Sequence, residues 1–489
     1  MKVLKRNLFL ILIILTHSAY SQGRRNVWQM GYWQGGGNIF QMDFSSGNPT
    51  FMPQIISTQM SMFLLNASIC DNNGNILFYT NGDFIADATG DTMMNGGGLI
   101  PGPFRNDNFQ YGLPNPQGAI VIPFTTDNNK YYLFQIAVNN VTRDGDSLLF
   151  HVIDMSLNSG LGAVILKNQF LLAGHFTQGD LISVKHGNGR DWWMLFHGQG
   201  DALYYSYLIS NDSLIGPFSQ NIGVIKQDLG QAVFSPDGSK FASFDSYNDL
   251  ELFNFDRCTG LLSNHIHISM PHLYASWGCC FSPNSNLLYV SDRQNLYQYN
   301  LQAASIAGSK DTIAVWDGFG DPFPNSFALS QLGPDGKVYI SSFGGTQHIH
   351  VINNPDSLGQ ACDVQQHFYL LPSYNAGTIP NLPFYELGTL GGSICDSLST
   401  NISSRNVLTI NYFVFPNPVR DILYIQNFSK EPVKSLTISD LLGKTIQTDF
   451  SILKNGEYIE VNSSSLQQGL YILQMETDKG LWIQKFFKE

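Results

Sequence analysis

Charge is scarce in this chain: 13% of its 489 residues are Asp, Glu, Lys or Arg, roughly half the share usual in soluble domains. Basic residues form no cluster beyond the first six positions, which excludes a groove built for the phosphates of nucleic acid. Glutamate is absent before Glu251 and next occurs at Glu386. Most carboxylates before the C-terminal region are therefore Asp, the acid that favours turns. The chain contains no Cys-x-x-Cys, no Gly-x-Ser-x-Gly and no Gly-rich loop ending in Lys-Ser/Thr. A thiolate zinc knuckle, a nucleophile elbow and a nucleotide phosphate loop are thereby excluded as motifs. Beyond residue 15 no apolar run is long enough to cross a bilayer as a helix.

Aromatic residues are plentiful instead, at 13%, and glycine numbers 46. Low charge with many aromatics and turn formers points to an all-β protein and away from coiled coil or disorder. The N-terminus has the make-up of a secretory signal. Lys2, Lys5 and Arg6 precede an unbroken apolar run from Leu8 to Leu15, and Ala19 and Ser21 place small residues at −3 and −1 of a cleavage site. Residues 1–21 are therefore expected to be removed after Ser21. Without them the chain would carry no transmembrane segment.

A short phrase recurs in the middle of the chain: Phe234-Ser235-Pro236-Asp237-Gly238, Phe281-Ser282-Pro283-Asn284-Ser285 and Leu332-Gly333-Pro334-Asp335-Gly336. Proline presets φ, and Asp or Asn followed by Gly or Ser accepts a left-handed residue, so each copy reads as a hairpin turn between apolar strands. The interval is about 50 residues, as in propeller blades. Weaker echoes lie at 71–80, 126–134 and 186–196. Six four-stranded units result, and the strands at 27–44 joined to residues 363–390 would make a seventh and close the ring. The expected fold is thus all-β: a β-propeller over 26–395, seven-bladed with six or eight left open. A Ser/Asn/Thr-rich linker follows at 396–411, then a small antiparallel β-sandwich over 412–489. Six cysteines (Cys70, Cys258, Cys279, Cys280, Cys362 and Cys395) sit in a chain read as leaving the cytoplasm. Cys362 and Cys395 bracket the end of the repeat region and are expected to pair. Cys279 and Cys280 should point to opposite faces of a strand.

The last domain resembles the type A C-terminal sorting domain of type IX secretion. The resemblance rests on Pro416-Asn417-Pro418 before a strand, Asp440-Leu441-Leu442-Gly443, Gly469-Leu470-Tyr471, and Lys485 in the last strand. It implies the type IX machinery as partner and a route through the periplasm to the outer-membrane surface or the medium, with the tail typically removed. The region before it is similar to the WD-repeat-like propellers that often precede such tails, on residues 67–82, 184–193 and the recurring phrase. The Gly-His and Trp-Asp pair of an orthodox WD repeat is not present in every blade.

Several constellations invite chemistry. His265-Ile266-His267 and His348-Ile349-His350 place two imidazoles on one strand face, and His272 could add a third ligand; half-exposed strand positions are the plainer reading. Asp71-Asn72-Asn73-Gly74-Asn75 and Arg143-Asp144-Gly145-Asp146-Ser147 have the oxygen-rich make-up of calcium loops, yet neither continues to a twelfth-position Glu. No cofactor is expected, with calcium at these loops the one left open. Trp192-Trp193 should put one ring on each strand face, at most one of them in the core and the other between blades, inter-blade packing being a plainer use of these aromatics than a sugar-stacking platform. The function expected is a secreted or surface-attached binding or structural module. Its extracellular ligand, protein or glycan, would be met at a ring end by the long Gly/Asn/Pro loop of residues 83–117. The alternative is a hydrolase of glycans or peptides using Asp residues in the propeller channel.

Overall fold

The computed structural model describes residues 23–32, 39–54, 60–227, 229–245, 247, 249–270, 278–396, 412–415, 419–427, 432–440, 444–446, 449–453, 458–478 and 480–488. Up to residue 375 they form seven antiparallel sheets in chain order, the first two of three strands and the other five of four. The first strands are Val27–Met30, Ala67–Cys70, Ala119–Pro123, Ile182–Lys185, Gly230–Phe234, Gly278–Phe281 and Phe327–Leu332. Each packs beside the next around a common axis, so the sheets are the blades of a propeller.

The strands read as runs of apolar residues because a blade is covered on both faces. Trp192 and Trp193 show this. Both rings are buried, Trp192 in the core shared with blade 3 and Trp193 in the core shared with blade 5. The two rings lie on opposite strand faces as expected, and because each face of the blade meets a neighbour, both pack between blades. Cys279 and Cys280 do point to opposite faces and enter different cores.

All six hairpin phrases join the first and second strands of consecutive blades, from blade 2 to blade 7. Their polar residues are spent on the turn. Ser235 Oγ donates to Asp237 Oδ1 (2.5 Å) while accepting from Lys240 N (2.9 Å), and Ser239 N donates to Asp237 Oδ1 (2.9 Å). Ser282 and Asn284 repeat this arrangement, with Ser282 Oγ accepting from Leu287 N (3.0 Å). Gly238 (φ +72°) supplies the left-handed residue that the turn requires, and Ser285 adopts it at φ +61°.

Ring closure differs from the expected one. The N-terminal strands form blade 1 on their own, and blade 7 takes its outer strand, Val364–Asn375, from the chain that follows its third. Among the described residues no strand is shared, and the seam is made by packing and by single hydrogen bonds: Trp28 and Phe44 lie 5.6 and 5.4 Å from Tyr339, Phe51 lies 5.4 Å from Tyr369, and Tyr32 N donates to Tyr374 O (2.7 Å). Arg25 donates across the seam to Leu332 O.

Residues 376–390 are not strands. They run along the axis of the ring. Asn381, near the beginnings of the inner strands, donates from Nδ2 to Ala119 O (2.9 Å) and Leu181 O (2.8 Å), and its amide N bonds Asn66 O (2.9 Å). Tyr385 OH donates to Val121 O, midway along an inner strand (2.9 Å). Leu390 N reaches Gly187 O, beyond the strand ends (2.8 Å). Residues 375–383 are all buried. Pro380 and Pro383, which donate no backbone hydrogen bond, suit a segment that pairs with no strand.

The axial segment ends in a disulfide, Cys258–Cys395, with Cα atoms 5.6 Å apart. This corrects the expected Cys362–Cys395 pair. Cys362 is a buried free thiol packed within blade 7, whereas the chain after residue 375 crosses the axis and delivers Cys395 to the outer turn of blade 5. The expected linker from 397 to 411 lies outside the described residues. The tail forms two four-stranded sheets enclosing Leu423, Ile425, Ile438, Ile459, Val461, Leu473, Met475 and Phe486, a sandwich as expected. Alkylation of the denatured, unreduced chain should label four cysteines (Cys70, Cys279, Cys280 and Cys362), and peptide mapping should recover Cys258 joined to Cys395. A Cys362 disulfide in the map would contradict this fold.

Candidate functional site

Glu251, the first glutamate of the chain, lies in the third strand of blade 5 and is the centre of a buried charge cluster. Its Oε1 accepts from Val224 N (2.8 Å) and lies 2.9 Å from His265 Nε2; its Oε2 accepts from Tyr204 OH (3.3 Å) and lies 3.9 Å from Lys226 Nζ. Lys226 Nζ also lies 3.8 Å from Asp180 Oδ2 and donates to Ser243 Oγ. Lys226, Asp180, Glu251 and Asp245 are between 0 and 3% exposed. Burial alone would lower the lysine pKa, but Asp180, Glu251 and Asp245 together hold it above the ordinary value. The same ammonium, after burial, pushes His197 down to about 3. Carboxylates do converge here, but on an internal cation that bridges blades 4 and 5.

The two His-x-His pairs are used separately. His265 faces Glu251, and His267 Nε2 lies 3.1 Å from Asp249 Oδ2, so each imidazole has its own carboxylate. His348 packs edge-on against Phe319, and His350 is wholly buried. His272 lies outside the described residues, among which no group of three or more His, Cys, Asp or Glu is arranged to hold a metal ion. His350 has a structural counterpart in His151. His350 Nδ1 accepts from His367 N, and His151 Nδ1 from Asn168 N, each at 3.1 Å. Each stands opposite a bulge in the outer strand, where His367 (φ +40°) and Asn168 (φ +54°) adopt left-handed backbone. All five four-stranded blades break register between their third and fourth strands, which adds twist at the edge and blunts it against pairing.

The calcium-like loops have turn roles. Asp71 Oδ1 accepts from Asn73 N (2.8 Å) and Asn75 N (2.9 Å), and Oδ2 from Asn75 Nδ2 (3.0 Å). Asp144 takes the Thr142 hydroxyl and lies 2.5 Å from His175 Nδ1.

The long loop predicted to meet a ligand is well built. It replaces the fourth strand of blade 2, carries the short helix Pro103–Asn108, and reaches the outer strand of blade 3. There Asn168 clamps it: Ile100 N donates to Asn168 Oδ1 (2.9 Å) and Asn168 Nδ2 to Gly98 O (3.0 Å), while Lys167 Nζ bonds Gly97 O (2.7 Å). Arg105 pairs with Asp83, whose pKa burial nevertheless raises. Between loop and blade lies a groove of about 550 Å³, lined among others by Ile100, Phe104, Val138, Asn140, Val141 and Phe170. Val141 is 89% and Phe170 55% exposed, and both line this groove. The sequence signalled the loop by its composition but not Asn168, whose role depends on a bulge that no local pattern encodes.

In the tail, Ser21's distant counterparts in export come partly into view. Asp440 pairs in register with Tyr471, and Ile472 with Lys485, so three of the expected motif residues share one sheet with Gly469. Asp440 Oδ1 accepts from Lys444 N (2.9 Å), closing the hairpin, and Tyr471 OH donates to Gln467 O (2.8 Å). Ser21, Pro416, Asn417, Pro418 and Gly443 lie outside the described residues. Residues 413–489 match the family of secretion system C-terminal sorting domains. The sorting domain marks the protein for export by the type IX machinery, to the cell surface or the medium. Among the described residues no helix is long and apolar enough to cross a membrane.

Comparison with curated proteins finds no match. Similar solved structures include a candidate 6-phosphogluconolactonase from Bacteroides uniformis, at 12% identity and a TM-score of 0.42, over 72% of this chain and 98% of that one. A protein from Lactobacillus plantarum is similar at 15% identity and TM-score 0.41, over 73% and 97% of the two chains. The Cps50 (Swd1) β-propeller domain of Myceliophteria thermophila is similar at 9% identity and TM-score 0.37, over 65% and 93%.

Two outcomes follow from the buried charges. Lys226→Met should destabilise the ring by about 3–5 kcal/mol, because it strands buried carboxylates, and adding Glu251→Gln should restore part of the loss in chemical denaturation. His151, His197 and His350 are held at about 3 by burial. The unfolded chain protonates them near 6.5 and the folded chain does not. Stability should therefore fall as pH drops from 6.5 toward 3, by at most about 4 kcal/mol per pH unit for three protons. Thermal midpoints across that range would check it, and His151→Asn should flatten the slope.

Proposed function

We propose that the propeller is an exported binding module whose extracellular ligand, a protein or a glycan, meets the ring in the groove between residues 97–105 and blade 3. The observation that carries this is the clamp by Asn168 and Lys167, which holds an apolar groove open and preformed on a loop face. A preformed site avoids the ordering cost that a floppy loop would add to binding. Exposed Val141 and Phe170 offer apolar contact, and Arg105 and Asn140 offer polar direction.

Two features weigh against the hydrolase reading. The channel where its Asp residues would act holds the chain's own axial segment, and the carboxylates that converge do so on buried Lys226. The signal at 1–21, cut after Ser21, would deliver the chain to the periplasm, and the sorting domain would take it onward.

Binding of the mature protein to a glycan and peptide panel, with and without added calcium or zinc, tests the module. Phe170→Ala should weaken capture about tenfold or more if the ring packs on the ligand, a loss of about 1.4 kcal/mol. Turnover that disappears on Asp→Asn substitution would instead establish the hydrolase. Deleting residues 413–489 should leave the protein off the cell surface, as whole-cell antibody labelling would show.

A further inference from the structure

The opposite end of the ring, where the recurring turns gather, carries a second and differently charged pocket. It measures about 250 Å³ and is bounded by Arg24, Asn72, Thr125, Lys185, Arg190 and Trp192, among others. Only 26 residues of the whole chain are basic and its net charge is −12, yet three cations line this one small space.

Arg190 is compensated, its Nε lying 2.7 Å from Asp191 Oδ1. The other two are not ion-paired among the described residues. Arg24 Nη1 donates to Tyr131 OH (3.3 Å), and Lys185 Nζ donates to Gly189 O (3.1 Å) with the Trp192 ring centre 4.7 Å away. Arg24 is only 8% exposed. A buried guanidinium beside a half-buried ammonium, with Asp191 and Glu386 acting on Lys185 only from beyond ion-pair distance, is costly to keep.

Their placement is also fixed. Gly23 N donates to Asn72 O (3.1 Å), and a Cβ at Gly23 would stand 2.4 Å from Gly74 N, so Arg24 is pinned to the turn of blade 2. Arg257 donates to Lys185 O (2.8 Å) and His186 O (3.2 Å), stiffening the strand end that bears Lys185. Two cations without a direct ion pair among the described residues, a fixed geometry and a volume too small for a saccharide chain describe a site for one compact, doubly charged oxyanion.

We propose that this pocket binds a tetrahedral dianion of the phosphate-monoester class, as a second ligand site on the ring, separate from the loop-face groove. Arg24 supplies a planar donor fork, Lys185 a point charge, and Arg190 an outer positive wall.

Calorimetric titration of the mature full-length protein at about pH 7.5 should give one saturable site for inorganic phosphate, at least about tenfold tighter than for the monoanion glucuronate. Glucose 6-phosphate is the third probe: tighter binding than inorganic phosphate would identify a phosphorylated sugar as the source, and equal binding the free anion. Lys185→Met and Arg24→Gln should each weaken phosphate binding by about tenfold or more, and Lys185→Arg should retain it. Burial, with the charges of Arg24 and Arg257, pushes Lys185 down to about 8, against the opposing pull of Asp191 and Glu386. Phosphate binding to the unsubstituted protein should therefore weaken as pH rises through 8, and binding to Lys185→Arg should not. Absence of saturable phosphate binding, equal affinity for glucuronate, or Lys185→Met binding as well as the unsubstituted protein would each overturn the site. A phosphorus NMR titration reads the same equilibrium for any variant of lowered thermal midpoint.

Discussion

A ring of seven sheets leaves a polar hole on its axis, because inner-strand peptide groups face it and need partners. Here the chain's own residues 376–385 fill it, and the side-chain amide of Asn381 is the tie. One residue satisfies carbonyls from blades 3 and 4 while its backbone bonds blade 2. Glutamines extend the same solution across the axis. Gln117 both donates to Ala232 O and accepts from Ala232 N (2.8 Å each), and Gln231 does the same with Ser330 (2.7 and 3.0 Å). Amides suit this task because each carries a donor and an acceptor and no charge.

The few charges that are buried occur where neutral amides cannot serve. Lys226 and its carboxylates replace an amide bridge between blades 4 and 5, at a desolvation cost that only a full set of partners offsets. At the ring's other end Arg24 and Lys185 lack such a set. Excess negative charge inside one wall and excess positive charge in a pocket at the other end give an acidic protein an internal polarity that its net charge conceals.

Much of the ring was legible because each blade needs a turn, and the turn needs Ser, Pro, Asp and Gly at set positions. Ser235-Pro236-Asp237-Gly238 could be read locally, since its hydrogen bonds close within five residues. The tail was legible for the same reason, with Asp440 and Lys444 closing one hairpin. The axial segment was not, since residues 363–390 read as part of a closing blade. Asn381 finds its partners 200 and 262 residues away, and no local pattern announces such a contact. Cys395 was misassigned as a consequence, because its position depends on the path of that segment. The groove was half legible: loop composition pointed to it, while Asn168 works only through a bulge set by His151 behind it.

The place of the axial segment in chain order has a temporal side. Residues 376–396 are made after every blade and before the sorting domain. A chain that stopped before this stretch would have its seven blades and an unfilled hub. Its seating makes the hub whole, and the bond from Cys395 back to Cys258 then latches it. The stretch that completes the ring thus lies immediately before the domain that marks the chain for export, so a chain cut short before its hub is filled also lacks that mark.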